Sequence, residues 1–328
     1  MCDETIHIFQ TGKAKYIFLL LVFLIVLFVL EEDFREINFV PRENTKNIVD
    51  FHTVRHKFRT NATTCPIKPI ELLGDHLMSQ REEDQTLLTY FNGICNGKYI
   101  EMGGLDGVRF SNSYVFNKDF DWKGILIEVS PKNFARLETN RPNEIANVHA
   151  GVCAKAHDVH YVTAEKGKTA VNGILEFMDP NFRQRWWPDI SYDSKSVQAI
   201  KCVPMNEILH NVVGDSYFFD FYSLDVEGAE YEVLHSIDFD RYQFGIMLVE
   251  ADEYNQRKSM AVLTFLESKG YKKFLETSGS FWFINKNFYA MYGDVLYSGE
   301  VSTTVDTNNN ANSSQEGTGH AKKLNEQD

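Results

Sequence analysis

The segment FYSLDVEGAEYEVL, Phe221 to Leu234, sets Asp225, Glu227 and Glu230 around Gly228 at the end of an apolar run. A carboxylate held there can accept hydrogen bonds or, once partly desolvated, take a proton as a general base. It can also do no more than turn the chain, and an acid such as Glu230 in the first turn of a helix commonly serves the helix dipole. A second segment, EMGGLDGVRFSNSYVF, places Gly103, Gly104 and Gly107 just before a helical stretch. Glycines let the backbone approach a ligand, and Ser111 or Asn112 can cap the helix that follows. Glu128 ends another apolar run, 27 residues after Glu101, where a carboxylate suits the hydroxyls of a ribose. Glycine turn and acid together point to a nucleoside-containing ligand. GxGxxG is absent, and the lack of GxxxxGKS or GxxxxGKT excludes a P-loop.

An alternation of strands and helices must position these residues. Lys98 to Gly103, Gly124 to Val129, Asn147 to Cys153, Phe218 to Val226 and Phe244 to Ala251 read as strands. Amphipathic stretches at Asn112 to Lys118, Pro131 to Asn140, Ala229 to Ile237 and Asn255 to Lys269 lie between or after them. Near-continuous apolar strands alternating with helices predict a doubly wound α/β fold, a mostly parallel sheet covered on both faces. YKKFLE and SFWFIN, joined by Thr277-Ser278-Gly279, predict a closing hairpin and hence an antiparallel edge strand. Asp158 to Val203 breaks the rhythm and reads as an insertion with its own strands and an aromatic-rich loop. In such a sheet ligands bind beyond the carboxyl ends of the strands, where the glycine turn, Glu128 and Asp225 all fall.

The chain has 328 residues, 43% of them hydrophobic, enough for a substantial core. Its net charge of −13 and the lack of a dense Lys/Arg cluster argue against nucleic acid as a partner. Tyr16 to Leu30 is uninterrupted and apolar, with Lys13 and Lys15 before it and Glu31, Glu32 and Asp33 after it. It is short against the roughly 17 to 25 residues of a usual span and suits a thin early-secretory bilayer. The lysines favour a cytosolic N-terminus, and the following VLEEDFREI offers no small residues for signal cleavage. A signal anchor is therefore expected over 16–30, with a cleaved signal peptide and a buried helix as the other readings. The expected order is a cytosolic tail over 1–15, the anchor, a lumenal stem over 31–79, a domain over 80–297 and a disordered tail over 298–328. Cys65, Cys95, Cys153 and Cys202 would then sit in an oxidising space. Cys153 with Cys202 and Cys65 with Cys95 is the favoured pairing, because Cys153 and Cys202 both end predicted strands; four free thiols is the other reading. No cysteine has a spacing suited to zinc, and no metal ligand is singled out. Asn61-Ala62-Thr63 and Asn312-Ser313-Ser314 are glycosylation sequons.

YIEMGGLDGVRFSNSYVF, WKGILIEVSPKNFARLETNRP, AVNGILEF, CVPMNEIL and DFYSLDVEGAEYEVLHSIDF, in that order, resemble the FkbM-type S-adenosylmethionine-dependent methyltransferases. The resemblance covers roughly Gln80 to Leu296, and LDVEGAE is its most specific block. It implies a Rossmann-like seven-stranded sheet with a reversed final strand, and S-adenosylmethionine as cofactor. It assigns Glu101, Gly103, Asp106, Gly107, Ser111, Asn112 and Glu128 to the cofactor. Asp225 and Glu227 match the motif after the fourth strand, and Glu250 ends the next. Gly104 stands where the family usually has alanine, and EVSP where EPNP or a close relative is common.

The expected function is O-methylation of a hydroxyl on a glycan or another secretory-pathway molecule, in the Golgi or endoplasmic reticulum. Asp225 is the first candidate base, with Glu227 and Glu250 beside it. Trp186 and Trp187 could stack on a sugar or simply cover the sheet. The layout also resembles Star-type animal proteins, which implies a non-catalytic alternative: a single-pass membrane protein that moves membrane cargo.

Overall fold

The structure, a computed structural model, describes residues 58–163, 171–251, 256–277 and 279–295. In chain order the strands are β1 (Thr63–Thr64), β2 (Ile94–Cys95), β3 (Lys98–Met102), β4 (Lys123–Glu128), β5 (Ala146–His149), β6 (Gly151–Val152), β7 (His157–Val162), β8 (Val197–Val203), β9 (Tyr217–Leu224), β10 (Tyr242–Glu250), β11 (Tyr271–Thr277) and β12 (Ser280–Asn285). The α-helices are α1 (Glu83–Phe91), α2 (Tyr114–Phe120), α3 (Pro131–Asn140), α4 (Pro180–Trp186), α5 (Met205–Val213), α6 (Glu230–His235), α7 (Gln256–Ser268) and α8 (Phe288–Tyr292).

Seven strands form one sheet in the order β11-β12-β10-β9-β3-β4-β5. Neighbours from β10 to β5 pair in parallel, while β12 runs antiparallel to both β10 and β11. The sheet is therefore mixed, as the closing hairpin predicts. Side chains alternate along each strand, so Ile125 and Ile127 pack on one face while Leu126 packs on the other. Met205, Leu209, Val233, Leu234, Val262 and Leu266 of α5 to α7 cover the first face. Leu87, Phe91, Phe116, Leu137 and Met291, from α1 to α3 and α8, cover the second. Both faces are sealed, and the carboxyl ends of the parallel strands remain the natural place for a ligand.

Four expectations change in detail. The reversed strand is the last in sequence but not the edge: β12 lies between β10 and β11. After β10, α7 carries the chain one strand-width too far, and the hairpin return fills the gap. Composition agrees, since β12 buries Phe281, Trp282 and Phe283 while β11 carries Lys272, Lys273 and Glu276, charges that suit an edge. The predicted strand Asn147 to Cys153 is two strands, because β5 ends at His149 and β6 pairs instead with β8 in a three-stranded sheet, order β6-β8-β7. Residues 58–79, assigned to a stem, pack on the domain: Leu73 is buried and the Thr60 hydroxyl donates to Asp220 at 2.7 Å. Helices α1 and α5 have no counterpart in the sequence reading. The apolar run Tyr16 to Leu30 and the tail from 298 lie outside the described residues, among which no helix is long and apolar enough to cross a membrane.

Disulfides join Cys65 to Cys95 and Cys153 to Cys202, with Cα separations of 5.7 and 5.8 Å, the pairing expected from sequence. The second ties the end of β8 back to the residue after β6 and so closes the insertion as a loop. Replacing Cys153 and Cys202 by alanine together is expected to lower stability by about 2–4 kcal/mol, chiefly by freeing the unfolded chain. Urea unfolding of the oxidised protein and the variant checks this; equal midpoints would show that the bond stabilises nothing.

Candidate active site

The glycine turn after β3 is built from the backbone. Gly103 and Gly104 N–H both donate to the Ile127 carbonyl, at 3.1 and 3.2 Å, and Asp225 N–H donates to the Met102 carbonyl at 3.2 Å. These bonds draw the ends of β3, β4 and β9 together. Gly103 has φ of +85°, and a Cβ there would overlap the Asp225 carbonyl oxygen. Only glycine fits this position.

Glu101, the last acid of β3, is buried and already occupied. Its carboxylate accepts from Ser111 Oγ at 2.8 Å, Asn112 N–H at 2.6 Å and Ser113 Oγ. Burial raises its pKa against the opposing pull of Arg141 and these donors. Arg141 is itself buried, pairs with Glu144 at 2.8 Å and donates to the Gly107 carbonyl at 2.8 Å and to Ser113 Oγ at 3.0 Å. It braces the whole turn from behind. Asp106 accepts from Val108 and Arg109 N–H, at 3.0 and 2.8 Å, which fixes the tip of the turn. Asn112 donates through Nδ2 to Ser223 Oγ at 2.9 Å, and its Oδ1 is buried without a hydrogen-bond partner. A buried orphan acceptor is uncommon and marks a place where a ligand can donate.

Glu128 ends β4 and accepts from Leu105 N–H at 2.8 Å and Ser130 N–H at 2.6 Å. Burial outweighs these bonds and pushes its pKa up to about 7. Any ligand that donates hydrogen bonds to this carboxylate favours its ionised form. Tyr161 of β7, contributed by the insertion, has Ser130 and Asn172 as side-chain partners, and burial, with Glu128 and Glu227 nearby, raises its pKa.

The acids after β9 and β10 form a cluster. Ligand oxygens of Asp225, Glu227 and Glu250 lie within 4.8 Å of one another, close enough to share a proton or one hard cation. The Asp225 side chain faces the open cleft, yet protein surrounds it closely. Desolvation, and then the Glu230 carboxylate, push it up to about 6. Desolvation also raises Glu250 well above the ordinary carboxylate range, helped by the charges of Asp225, Glu227 and Glu230. Glu227 sits at φ of +57°, a costly conformation for a residue with a side chain, and its N–H donates to Glu250 Oε2 at 3.2 Å. Gly228 follows at φ of +105°, pressed so near the Phe177 carbonyl that a Cβ would stand 2.8 Å from it. Glu230 departs from the dipole reading. It is buried, and its Oε1 accepts from Val226 and Gly228 N–H, both at 3.1 Å, so it ties the turn internally. Lys258 clamps the same turn to the insertion through the Gly228 and Phe177 carbonyls.

These parts surround a cleft of about 1020 Å³. Glu101, Gly103, Asn112, Glu128, Asp225, Glu227 and Glu250 lie on its wall; Asp106, Gly107 and Ser111 do not, and support the turn from outside. The insertion supplies a further wall with Tyr161, Asn172, Phe182, Arg185 and Trp186, and the hairpin adds Lys273, Glu276 and Phe281. Trp186 is half-buried and reaches the cleft, whereas Trp187 does not line it and donates through Nε1 to the Val171 carbonyl at 2.9 Å. Sequence reasoning missed Arg81, Arg141, Tyr161 and Asn172. Only the insertion's aromatic content signalled any of that wall.

The family described as the methyltransferase FkbM domain matches residues 101–273. Among solved structures, an FkbM methyltransferase from Methylobacillus flagellatus KT aligns at 12% identity and a TM-score of 0.38, over 66% of this chain and 50% of that one. The chain thus spans half the length of that relative. A methyltransferase from Pyrococcus furiosus aligns at 13% identity and a TM-score of 0.30, over 61% of this chain and 82% of that one. Aeropyrum pernix fibrillarin, solved with natively bound S-adenosyl-L-methionine, aligns at 11% identity and a TM-score of 0.30, over 58% of this chain and 67% of that one. No curated protein sequence matches the chain. The family match covers more than half of the 328 residues, from Glu101 in β3 to the first residues of β11: the chain belongs to the FkbM family of S-adenosylmethionine-dependent methyltransferases.

Proposed function

We propose that the protein methylates a hydroxyl group of a glycan, with Asp225 as the general base. The observation that carries this reading is the position of Asp225, whose backbone contacts Gly103 of the glycine turn while its carboxylate, at a pKa of about 6, faces the cleft. S-adenosylmethionine supplies an electrophilic methyl group on a positively charged sulfur. The cleft fits that molecule: Asn112 Oδ1 offers an unmet acceptor, Glu128 offers a carboxylate suited to a ribose, and Gly103 lets the ends of β3 and β9 close together at its wall. Glu101, Asp106, Gly107 and Ser111 hold the turn in shape for it.

At neutral pH Asp225 is ionised yet basic enough to accept the acceptor's proton as the hydroxyl oxygen takes the methyl group. The carbon–sulfur bonding pair stays on sulfur, and the proton passes from Asp225 to solvent. Glu227 and Glu250 surround the base, and desolvation together with the negative charge of Glu230 keeps its pKa above that of an ordinary aspartate. A cleft this size lies at the upper end of the roughly 300–1,000 Å³ usual for one ligand, which leaves room for both substrates. Phe182 and Trp186 offer apolar faces for a sugar ring, with Asn172 and Thr277 as hydrogen-bonding neighbours. The apolar run at 16–30, two disulfides and the exposed sequon residue Asn61 support a single-pass type II protein with its domain in the lumen of the Golgi or endoplasmic reticulum.

With methyl-labelled S-adenosylmethionine and a panel of oligosaccharides, label is expected in the sugar fraction. Asp225→Asn should lower kcat by about 10²- to 10⁴-fold. The wild-type kcat should rise with pH through about 6, because only the ionised carboxylate accepts a proton, and the asparagine variant should lose that limb. Cofactor binding without transfer to any sugar would remove the glycan reading. An unchanged rate in Asp225→Asn would remove the base.

A further inference from the structure

The insertion carries a second cluster of ligating side chains, none of which lines the cleft. In its small sheet the register sets Cys202 of β8 directly opposite His157 of β7 on one side and Gly151 of β6 on the other. Cys153 follows β6 and donates its N–H to the Val203 carbonyl at 3.2 Å. Cys153, His157 and Cys202 therefore meet at one end of the sheet. His157 Nδ1 stands 3.7 Å from Cys153 Sγ and 3.5 Å from Cys202 Sγ. Both cysteines are buried in a small apolar cluster with Val159, Tyr161 and Ile174, while His157 is exposed. Its Nδ1–H donates to the Lys155 carbonyl at 2.6 Å, which fixes the ring with that nitrogen towards the sulfurs.

Two sulfurs and an imidazole nitrogen are a donor set that favours zinc. Around a tetrahedral zinc, with Zn–S about 2.3 Å and Zn–N about 2.0–2.1 Å, a sulfur and a nitrogen ligand stand about 3.5–3.6 Å apart. The two separations from His157 match that edge. A pair of thiolates on the same ion stands about 3.8 Å apart, so once the disulfide is open, rotation of the two cysteine side chains completes the set. Spacing along the chain conceals this arrangement. Cys153 and His157 are four residues apart, but Cys202 lies 45 residues beyond His157, and only the pairing of β7 with β8 brings it back.

We propose that Cys153, His157 and Cys202 form a zinc site when the Cys153–Cys202 disulfide is reduced, so that a metal ion replaces the covalent bond as the clamp on the insertion. A dithiol supplies two electrons and two protons: it opens the bond to two thiols and closes to its own disulfide. Zn²⁺ then displaces both thiol protons, and the imidazole proton moves from Nδ1 to Nε2 so that Nδ1 can bind. The exposed side of His157 leaves the fourth position to water. Strand β7 runs from His157 to Tyr161, which lines the cleft, so either form of the clamp holds that wall against β8.

The test is metal uptake by the full chain, reduced with a dithiol and then freed of it, with Zn²⁺ alone as the ligand. Reduced wild type should take up one ion more than the double variant Cys153→Ser, Cys202→Ser, and the oxidised chain should lack that ion. Co²⁺ in place of Zn²⁺ should give the reduced wild type the visible bands of a tetrahedral ion and a thiolate charge-transfer band. His157→Ala keeps both thiols and alters only an exposed side chain, so it tests the site without disturbing the core. It should weaken Zn²⁺ by at least about tenfold. Zn²⁺ should also raise the urea midpoint of the reduced wild type and leave that of the oxidised protein unchanged. Equal uptake by reduced wild type and the double serine variant would place the ion at other thiols and overturn the site. Unchanged affinity in His157→Ala would remove the imidazole as a ligand, and the three-residue site with it. Equal uptake by the oxidised and reduced chains would overturn the exchange of bond for metal.

Discussion

Gly103→Ala is expected to abolish cofactor binding and methyl transfer, while Gly104→Ala, one residue on, leaves both close to wild type. The two glycines look equivalent in the sequence. At Gly103 the new methyl group would overlap the Asp225 carbonyl oxygen, which belongs to backbone and cannot swing away, and φ of +85° adds strain of its own. Relief requires β3 and β9 to part where Asp225 N–H holds the Met102 carbonyl. Strain of about 1–3 kcal/mol per residue in such a conformation, with the overlap added, corresponds to a loss of about 100-fold or more in kcat/KM. At Gly104 the nearest atom to a new methyl is Leu137 Cδ1, 3.1 Å away, the far end of a flexible side chain. Calorimetry with S-adenosylmethionine and the labelled-transfer assay check both variants. Wild-type behaviour in Gly103→Ala would mean that the turn is not the cradle.

Arg141→Met should destabilise the fold by about 3–5 kcal/mol, the usual result of leaving a buried charge without its partner. The side chains of Arg141 and Glu144 are 0% and 1% exposed, so water cannot replace the lost guanidinium. Glu144 would keep Tyr99 Oη at 2.8 Å and Gly124 N–H at 2.7 Å as donors, but no counter-charge. Gly107 and Ser113 would lose a donor at the same time, so cofactor affinity should fall even at temperatures where the variant is folded. Urea unfolding measures the first effect, through a lower midpoint at an unchanged slope. Adding Glu144→Gln should restore part of the stability by removing the uncompensated charge. A double variant no more stable than Arg141→Met would assign the loss to packing instead.

Much of this arrangement is legible in the sequence because it is local. Apolar runs of five to nine residues mark β3, β4, β9 and β10, and the acids or glycines that end them fall where a parallel sheet exposes its ligand edge. What burial does to each acid is not local. Glu101 and Glu128 look alike as strand-terminal carboxylates, yet Ser111, Asn112 and Ser113 occupy the first from a loop ten to twelve residues away. Glu230 looks like a helix-start acid, and only the tight turn at Glu227 and Gly228 folds its carboxylate back onto the preceding N–H groups. Arg141 sits in the unremarkable run LETNRPNE and acquires its role from a turn more than 30 residues earlier. The division of the Asn147 to Cys153 run is equally hidden, since β5 and β6 differ only in which partner they meet.

The place of β12 inside the sheet has a consequence for the order of assembly. Until Ser280–Asn285 has been synthesised, β10 presents one whole side of unpaired backbone, together with the apolar residues Met247, Leu248 and Val249. A ribosome adds about 5–20 residues each second, so the chain passes through a phase, seconds long, in which this open edge invites pairing with another nascent chain. The final hairpin therefore acts as the closing clasp of biogenesis: the last sheet residues to emerge are the ones that make the rest safe from self-association.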